Sequence, residues 1–436
     1  MNTFDWTTRI VTTLALTLAA GCTVGLDADT AELAGSYEGA NTDTFDRPDV
    51  GDTNPTSPGG DNDVLPDGDT EEPDATTEGE ETTSGEETTE GEETKPEEDR
   101  VEETAPDGVS AACIAPPDAG EDGILICLDE VNAEGGQVFI GAGDYVITKT
   151  IALPSGVTLV GEGPATRLIL DGGLDQPVLL VGSTDETPTG ERVSGVTIAN
   201  LTIDGARFDQ SSESVPGAPW LSTAGIAIRH AISVQVQGVT VTETAGAGIQ
   251  VDASAHDVLI QGANVNGSGF DGIAVSNSHN VSILGTVVTG NEGAGLSFDW
   301  GVTESLVLDS EITSNGGGWA GGQNPGVYVA MTSNTVFQGN TIADNDGNGV
   351  VLTNQGMAQS PAATCSMNNA FNDNVIEGNQ QFGIWLTHTT CVGNSSTGNT
   401  YVNNAWGPVF EPVCGQLRED KTACEGSGCP NACAIQ

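Results

Sequence analysis

Seven segments of the chain share one pattern, a Gly followed by an apolar, a variable and an apolar position. They are Gly225-Ile226-Ala227-Ile228, Gly248-Ile249-Gln250-Val251, Gly272-Ile273-Ala274-Val275, Gly295-Leu296-Ser297-Phe298, Gly326-Val327-Tyr328-Val329, Gly349-Val350-Val351-Leu352 and Gly383-Ile384-Trp385-Leu386. Their spacings are 23, 24, 23, 31, 23 and 34 residues, so the two long ones read as one repeat plus an inserted loop. A second apolar pair follows each, as in Val258-Leu259-Ile260 and Val281-Ser282-Ile283, and then a third, as in Val287-Val288 and Glu311-Ile312. Each repeat therefore predicts three short strands, none long enough to hide its apolar face alone. Wound into a coil, each strand stacks on its counterpart one repeat later, about 4.8 Å away, with alternate side chains facing inward. Turns are expected at Gly and Asn, which tolerate left-handed backbone angles, as at Gly339-Asn340, Asp373-Asn374 and Gly398-Asn399. No helical period separates the strands, which excludes a βαβ arrangement.

This repeat resembles the right-handed parallel β-helix of the pectate-lyase-like superfamily. Gly135-Gly136-Gln137-Val138-Phe139-Ile140, Gly143-Asp144-Tyr145-Val146-Ile147 and Ser155-Gly156-Val157-Thr158-Leu159 look like its first coil, and Val196 to Gly205 like its second or third. The resemblance covers roughly residues 124–410 and implies an all-β, single-chain solenoid. It implies no single activity, because the superfamily contains lyases, hydrolases, epimerases and proteins with no known reaction.

Composition divides the remainder. Residues 23–110 hold 29 acidic and 3 basic residues with almost no apolar periodicity, and runs such as Glu78-Gly79-Glu80-Glu81-Thr82-Thr83 cannot bury a core. They are expected to be a disordered acidic linker. Residues 1–22 read as a secretory signal: Arg9 supplies a positive start, and the apolar stretch Ile10–Ala20 is shorter than the ~20 residues of a membrane span. The end of that stretch, Leu18-Ala19-Ala20-Gly21-Cys22, resembles the lipobox of bacterial lipoproteins, which implies lipidation of Cys22 and a protein anchored at the cell envelope, in the outer membrane or at the cell surface. Ordinary cleavage with Cys22 incidental is the alternative. Taking Cys22 away from nine cysteines leaves eight, an even number suited to an oxidising compartment. Cys113 with Cys127 and Cys365 with Cys391 are the expected pairs. Cys414, Cys424, Cys429 and Cys433 lie in a Cys-rich C-terminal cap, residues 411–436, after the β-helix of 111–410. Disulfides are expected there, with a zinc site as the alternative.

A formal net charge of -52 makes nucleic acid a poor partner, since a phosphate backbone needs clustered Lys and Arg. Anionic polymers would need a bridging cation, and Ca²⁺ suits carboxylate and carbonyl oxygens. The acidity also has a plainer reading, the solubility of a surface protein.

The superfamily resemblance directs attention to the outer face of the strands that follow the repeating Gly. Two places after it come Ala227, Gln250, Ala274, Ser297, Tyr328, Val351 and Trp385; four places after come Arg229, Asp252, Ser276, Asp299, Ala330 and Thr353. Arg229, Asp252, Asp299 and the flanking His230 are the candidate catalytic residues. Trp300, Tyr328 and Trp385 are the candidates for stacking on sugar rings, and Asp252 with Asp299 for holding a cation. Two coils put Asp252 and Asp299 about 9.6 Å apart, near the upper limit for an inverting carboxylate pair. A surface ion pair between Arg229 and Asp252 is the plain alternative. Arg207, Asp209 and Asp271 could approach from neighbouring turns, with the insertion from Arg207 to Thr223 as a wall. His256 and His279 read as turn residues with no role beyond hydrogen bonding. The β-helix region lacks the paired Asp-Asp, Gly-His-Gly and Arg-Ile-Lys motifs of polygalacturonase-like hydrolases and the Asp-Pro-His of alginate epimerases. The expectation is a surface lipoprotein whose β-helix binds an extracellular or cell-wall polysaccharide, with its processing left open. A non-catalytic structural or adhesive module, and a calcium-dependent polysaccharide lyase or glycosidase, are the alternatives.

Overall fold

A computed structural model describes residues 113–131, 135–318, 325–353, 366–387, 393–411, 417–420 and 423–425, all within one unit, Pro96–Gln436. The signal segment with Cys22, the acidic linker, the Cys365–Cys391 pair and the cysteines of the C-terminal cap lie outside the described residues or have side chains that do.

The three strands of each repeat fall into three parallel sheets, of thirteen, eleven and ten strands. This is the right-handed parallel β-helix expected from the repeat. The ten-stranded sheet, here the front sheet, holds the segments that follow the repeating Gly. Its strands are Ile151–Leu153, Leu179–Gly182, Ile226–Arg229, Ile249–Asp252, Ile273–Ser276, Leu296–Asp299, Val327–Ala330, Val350–Thr353, Phe382–Leu386 and Gly407–Phe410. Ile226, Ile249, Ile273, Leu296, Val327, Val350 and Ile384 stack in register and are fully buried. Each such side chain contributes about 1.5–3 kcal/mol of burial, so the column is a large share of what holds the coils together.

Turn chemistry differs from expectation in one respect. Left-handed angles fall on Gly339, Asp373 and Gly398, with φ of 67°, 53° and 69°. The Asn after each points inward: Asn340 donates to Asn374 Oδ1 at 3.0 Å, and Asn374 to Asn399 Oδ1 at 2.9 Å. A second ladder runs Asn291, Asn315, Asn345, Asn379, Asn404. In both ladders a side-chain amide caps buried backbone that the bend leaves without a strand partner, which is why Asn rather than an apolar residue occupies these buried positions.

The solenoid's first end is closed by the helix Gly120–Val131, which the strand pattern does not anticipate. It buries Ile124, Cys127, Leu128 and Val131 against the core and is tied to the first strand by the expected disulfide, Cys113–Cys127, with Cα atoms 5.3 Å apart. At the other end, strands Arg418–Asp420 and Ala423–Glu425 pair onto the last full coil, so parallel pairing continues into the segment assigned to the cap. No helix among the described residues is long and apolar enough to cross a membrane.

Candidate functional site

Register places the outward residues in columns. Arg229 pairs with Asp252, and Ser276 with Asp299, along one column; Ala227, Gln250, Ala274, Ser297, Tyr328, Val351, Trp385 and Phe410 follow one another along the next. The chain leaves the sheet through a column of left-handed residues, His230, Ala253, Asn277, Trp300 and Met331, all with φ between 39° and 53°. His230 and Trp300 therefore sit at the bend beside the sheet. His230 Nε2 lies 3.3 Å from Gly190 O, and Trp300 is 60% exposed.

Arg229 is buried. Its Nε donates to Asp252 Oδ1 at 2.6 Å, and Nη1 donates to Ser183 O and Asp185 O at 3.1 and 3.0 Å. Asp252 Oδ2 accepts from Gln250 Nε2 at 3.0 Å. Gln250 also donates to Trp220 O at 2.8 Å and accepts from Ser222 N at 3.0 Å. Trp220 and Ser222 belong to an antiparallel pair, Ser214–Val215 with Ala218–Ser222, inside the inserted segment expected to form a wall. Leu221, with Val215, Ala218 and Trp220, packs on Leu180 and Ala227 of the front sheet. Arg229, Asp252 and Gln250 thus form a clamp holding the 183–185 loop and the hairpin against the sheet. This ion pair is not the exposed surface pair considered as the plain alternative.

Beyond the clamp lie two further carboxyls. Asp271, just before the Gly of its strand, accepts from Ala294 N at 2.7 Å and bonds Ser297. It is fully enclosed apart from 8% of its surface, and burial, only partly offset by those hydrogen bonds, pushes its pKa up to about 7. Asp299 is raised to about 7 by burial first, then by the negative charges of Asp271 and Asp252. Asp252 reaches about 6, burial outweighing Arg229 and Gln250. Tyr328 is pushed up to about 12 by burial and by Asp299 and Asp271. Three carboxyls and a phenol thus share one poorly solvated patch and feel each other's charge. Strongly shifted carboxyls gather at functional sites, where burial and like charges set proton affinity.

The remaining candidates sit as follows. Trp385 is outward and half-buried, two coils beyond Tyr328. Arg207 pairs with Glu292 and donates to Gly267 O at 3.3 Å, away from the clamp, and Asp209 lies against Gly172 and Gly173. His256 and His279 are not turn residues: they begin successive strands of the thirteen-stranded sheet and stack at 4.6 Å. Among the described residues no three His, Cys, Asp or Glu side chains converge as a metal site requires. The site residue that the column reading placed only among turn neighbours is Asp271; its signal was an acidic residue directly before a repeat Gly.

Two family models match: the right-handed β-helix region over residues 247–411, and the rhamnogalacturonase A/epimerase, pectate lyase-like family over 123–320. The fold is a right-handed parallel β-helix. Similar solved β-helices include the A-module of mannuronan C-5 epimerase AlgE4 from Azotobacter vinelandii, 19% identical with a TM-score of 0.53, covering 70% of this chain and 93% of that one. ORF18 of Geobacillus virus E2 is 15% identical with a TM-score of 0.54, covering 72% and 60%. The Dettilon tailspike protein gp208 is 13% identical with a TM-score of 0.52, covering 74% and 61%. At these identities the likeness is one of fold. No curated protein matches the sequence.

Proposed function

We propose that this β-helix binds a polysaccharide along the outer face of the front sheet and processes it by acid–base chemistry at Asp271 and Asp299. The observation that carries this is the shared, poorly solvated patch of Asp252, Asp271, Asp299 and Tyr328 beside the hairpin wall. A carboxyl with a pKa near 7 is half protonated at neutral pH and can give or take a proton there. Coupling makes the pair titrate in two steps, so one member serves as acid while the other serves as base. Arg229 and Asp252 act as positioning residues through the clamp, and Tyr328 and Trp385 offer ring faces to the sugar. A similar fold carries a mannuronan C-5 epimerase, which supports polysaccharide processing on a β-helix without fixing the sugar.

The test is a glycan array on the full-length protein, followed by reducing-end and unsaturated-product assays on any polymer retained. Turnover lost in Asp299→Asn and in Asp271→Asn, with binding kept, is the expected result. A protein that retains no polysaccharide is a structural or adhesive display module, and the proposal fails. The proposal extends to location: Cys22 carries a lipid that holds the domain at the cell envelope. Labelling with an alkyne fatty acid should mark the wild type and not Cys22→Ser.

A further inference from the structure

Burial along the front sheet sets the length of its open face. In Ile226–Arg229 all four positions are buried, the outward Ala227 and Arg229 being 0% and 1% exposed. The hairpin and the 183–185 loop lie over this strand. Leu221 packs on Ala227, Arg229 holds Ser183 O and Asp185 O, and Trp220 Nε1 donates to Thr184 O at 2.9 Å. Five coils on, Val350–Thr353 is again buried at all four positions, with Val351 and Thr353 each 4% exposed and Ala330 beside them 2%. Between these two closed strands lie four whose outward side chains reach the surface, at Gln250, Ala274, Ser276, Asp299 and Tyr328. The small Ala274 and Ser276 sit between the strand of Gln250 and Asp252 and the strand of Ser297 and Asp299, so the middle of the open stretch is its floor.

Building on the polysaccharide reading above, we infer that this open stretch is a pocket closed at both ends along the helix axis, which takes a short glycan or the end of a chain rather than the interior of a long polymer. At about 4.8 Å per coil, the steps from Gln250 to Tyr328 span about 14 Å, and the two closed strands stand about 24 Å apart. A chain continued along the axis meets covered surface in both directions. Past Gln250 it meets the hairpin, and past Tyr328 a strand with no outward side chain within a ligand's reach. A sugar added beyond those points gains no contact while its ordering still costs free energy, so affinity stops growing with length. Trp385 stands one coil past the second closed strand, which leaves Tyr328 as the ring that faces a ligand inside the pocket. The hairpin is fixed to the surface that the glycan touches, because Gln250 accepts from Ser222 N and donates to Trp220 O. Asp252, Asp271 and Asp299 all lie on this stretch or at its edge, so their chemistry falls near a chain end.

The experiment measures binding of the full-length protein to gluco-, manno-, N-acetylglucosamine and galacturonate oligosaccharides, from disaccharide to octasaccharide, and to their parent polymers. In the series that binds, affinity per chain should rise to the tetrasaccharide and change by less than about twofold beyond it. Affinity per chain that keeps climbing with length, as it does where chain interiors bind, overturns the inference. Trp220→Ala removes the tie to Thr184 and should let the octasaccharide bind more tightly than the tetrasaccharide, a gain that a merely damaged fold would not give. A folded Trp220→Ala that keeps the wild-type plateau overturns the hairpin's part as the stop. The wild-type series decides the inference even if that variant does not fold. If wild type binds no glycan of any length, the polysaccharide reading falls and takes this one with it. If Asp299→Asn abolishes turnover while wild-type affinity climbs with length, this inference alone falls.

Discussion

A carboxyl whose folded-state pKa is raised binds its proton more tightly in the folded chain than in the unfolded one. Asp252 at about 6 and Asp271 and Asp299 at about 7 all stand above the ordinary range near 4. Between those limits the folded state holds more protons than the unfolded state, so the free energy of unfolding falls as pH rises. The contribution of these groups is fully present below about pH 4 and is lost on passing through 6 and 7, as each buried carboxyl is forced to ionise. Denaturant melts should therefore give a lower midpoint at pH 8 than at pH 5. The drop should shrink in Asp271→Asn with Asp299→Asn, where no proton needs to leave. Equal drops in wild type and the double variant would show that the patch is better solvated than its burial indicates. The same titration should give turnover a limb that falls above about pH 7, because the group acting as acid is then ionised.

At the scale of the element, the front sheet was readable because period-two alternation and a repeating Gly are local signals, and in-register stacking turns them into columns. Ala227, Gln250, Ala274, Ser297 and Tyr328 do follow one another in space. Depth was not readable. Arg229 was placed in the correct column, yet its partners Ser183 and Asp185 lie more than forty residues away in sequence, and only their loop turns a surface position into a buried one. The helix Gly120–Val131 carried an i, i+3, i+4, i+7 signal in Ile124, Cys127, Leu128 and Val131 that the strand reading passed over. Asn is likewise ambiguous in a string of letters, since left-handed turns and inward ladders both favour it. The ladders can be tested directly. Asn345 Oδ1 accepts from Asn315 N at 3.0 Å and Nδ2 at 3.1 Å, and its own Nδ2 donates to Ile312 O and Asn379 Oδ1. Asn345→Ala leaves those buried groups unsatisfied and should cost about 3 kcal/mol. Gln338→Ala, on the exposed face of a neighbouring strand, should stay within about 0.5 kcal/mol. Similar losses in the two variants, measured by urea unfolding, would mean that the ladder is not where the bend is held.

For the whole molecule the governing fact is that a coil touches only the coils on either side, so stability is close to a sum of neighbour terms. Such a stack is weakest where it ends, because the first coil would otherwise expose its apolar interior. The helix Gly120–Val131 covers that opening, seating Ile124 and Leu128 on the core, and Cys113–Cys127 ties it to the first strand. Closing a loop of 14 residues removes about 3 kcal/mol worth of unfolded-state freedom, so reduction should loosen the lid by that order. In a globular core the loss would spread through one cooperative unit. In a solenoid it should stay near the end that lost its cover. Hydrogen exchange after reduction should therefore speed up around Val138, Tyr145 and Leu159, all buried in the first coils, and leave Phe298 and Val329 unchanged. The carboxyl patch sits several coils further along, so glycan binding should survive reduction. Uniformly faster exchange along the whole β-helix, or loss of binding with the disulfide, would show that the coils act as one block and that the lid stabilises the site as well as the end.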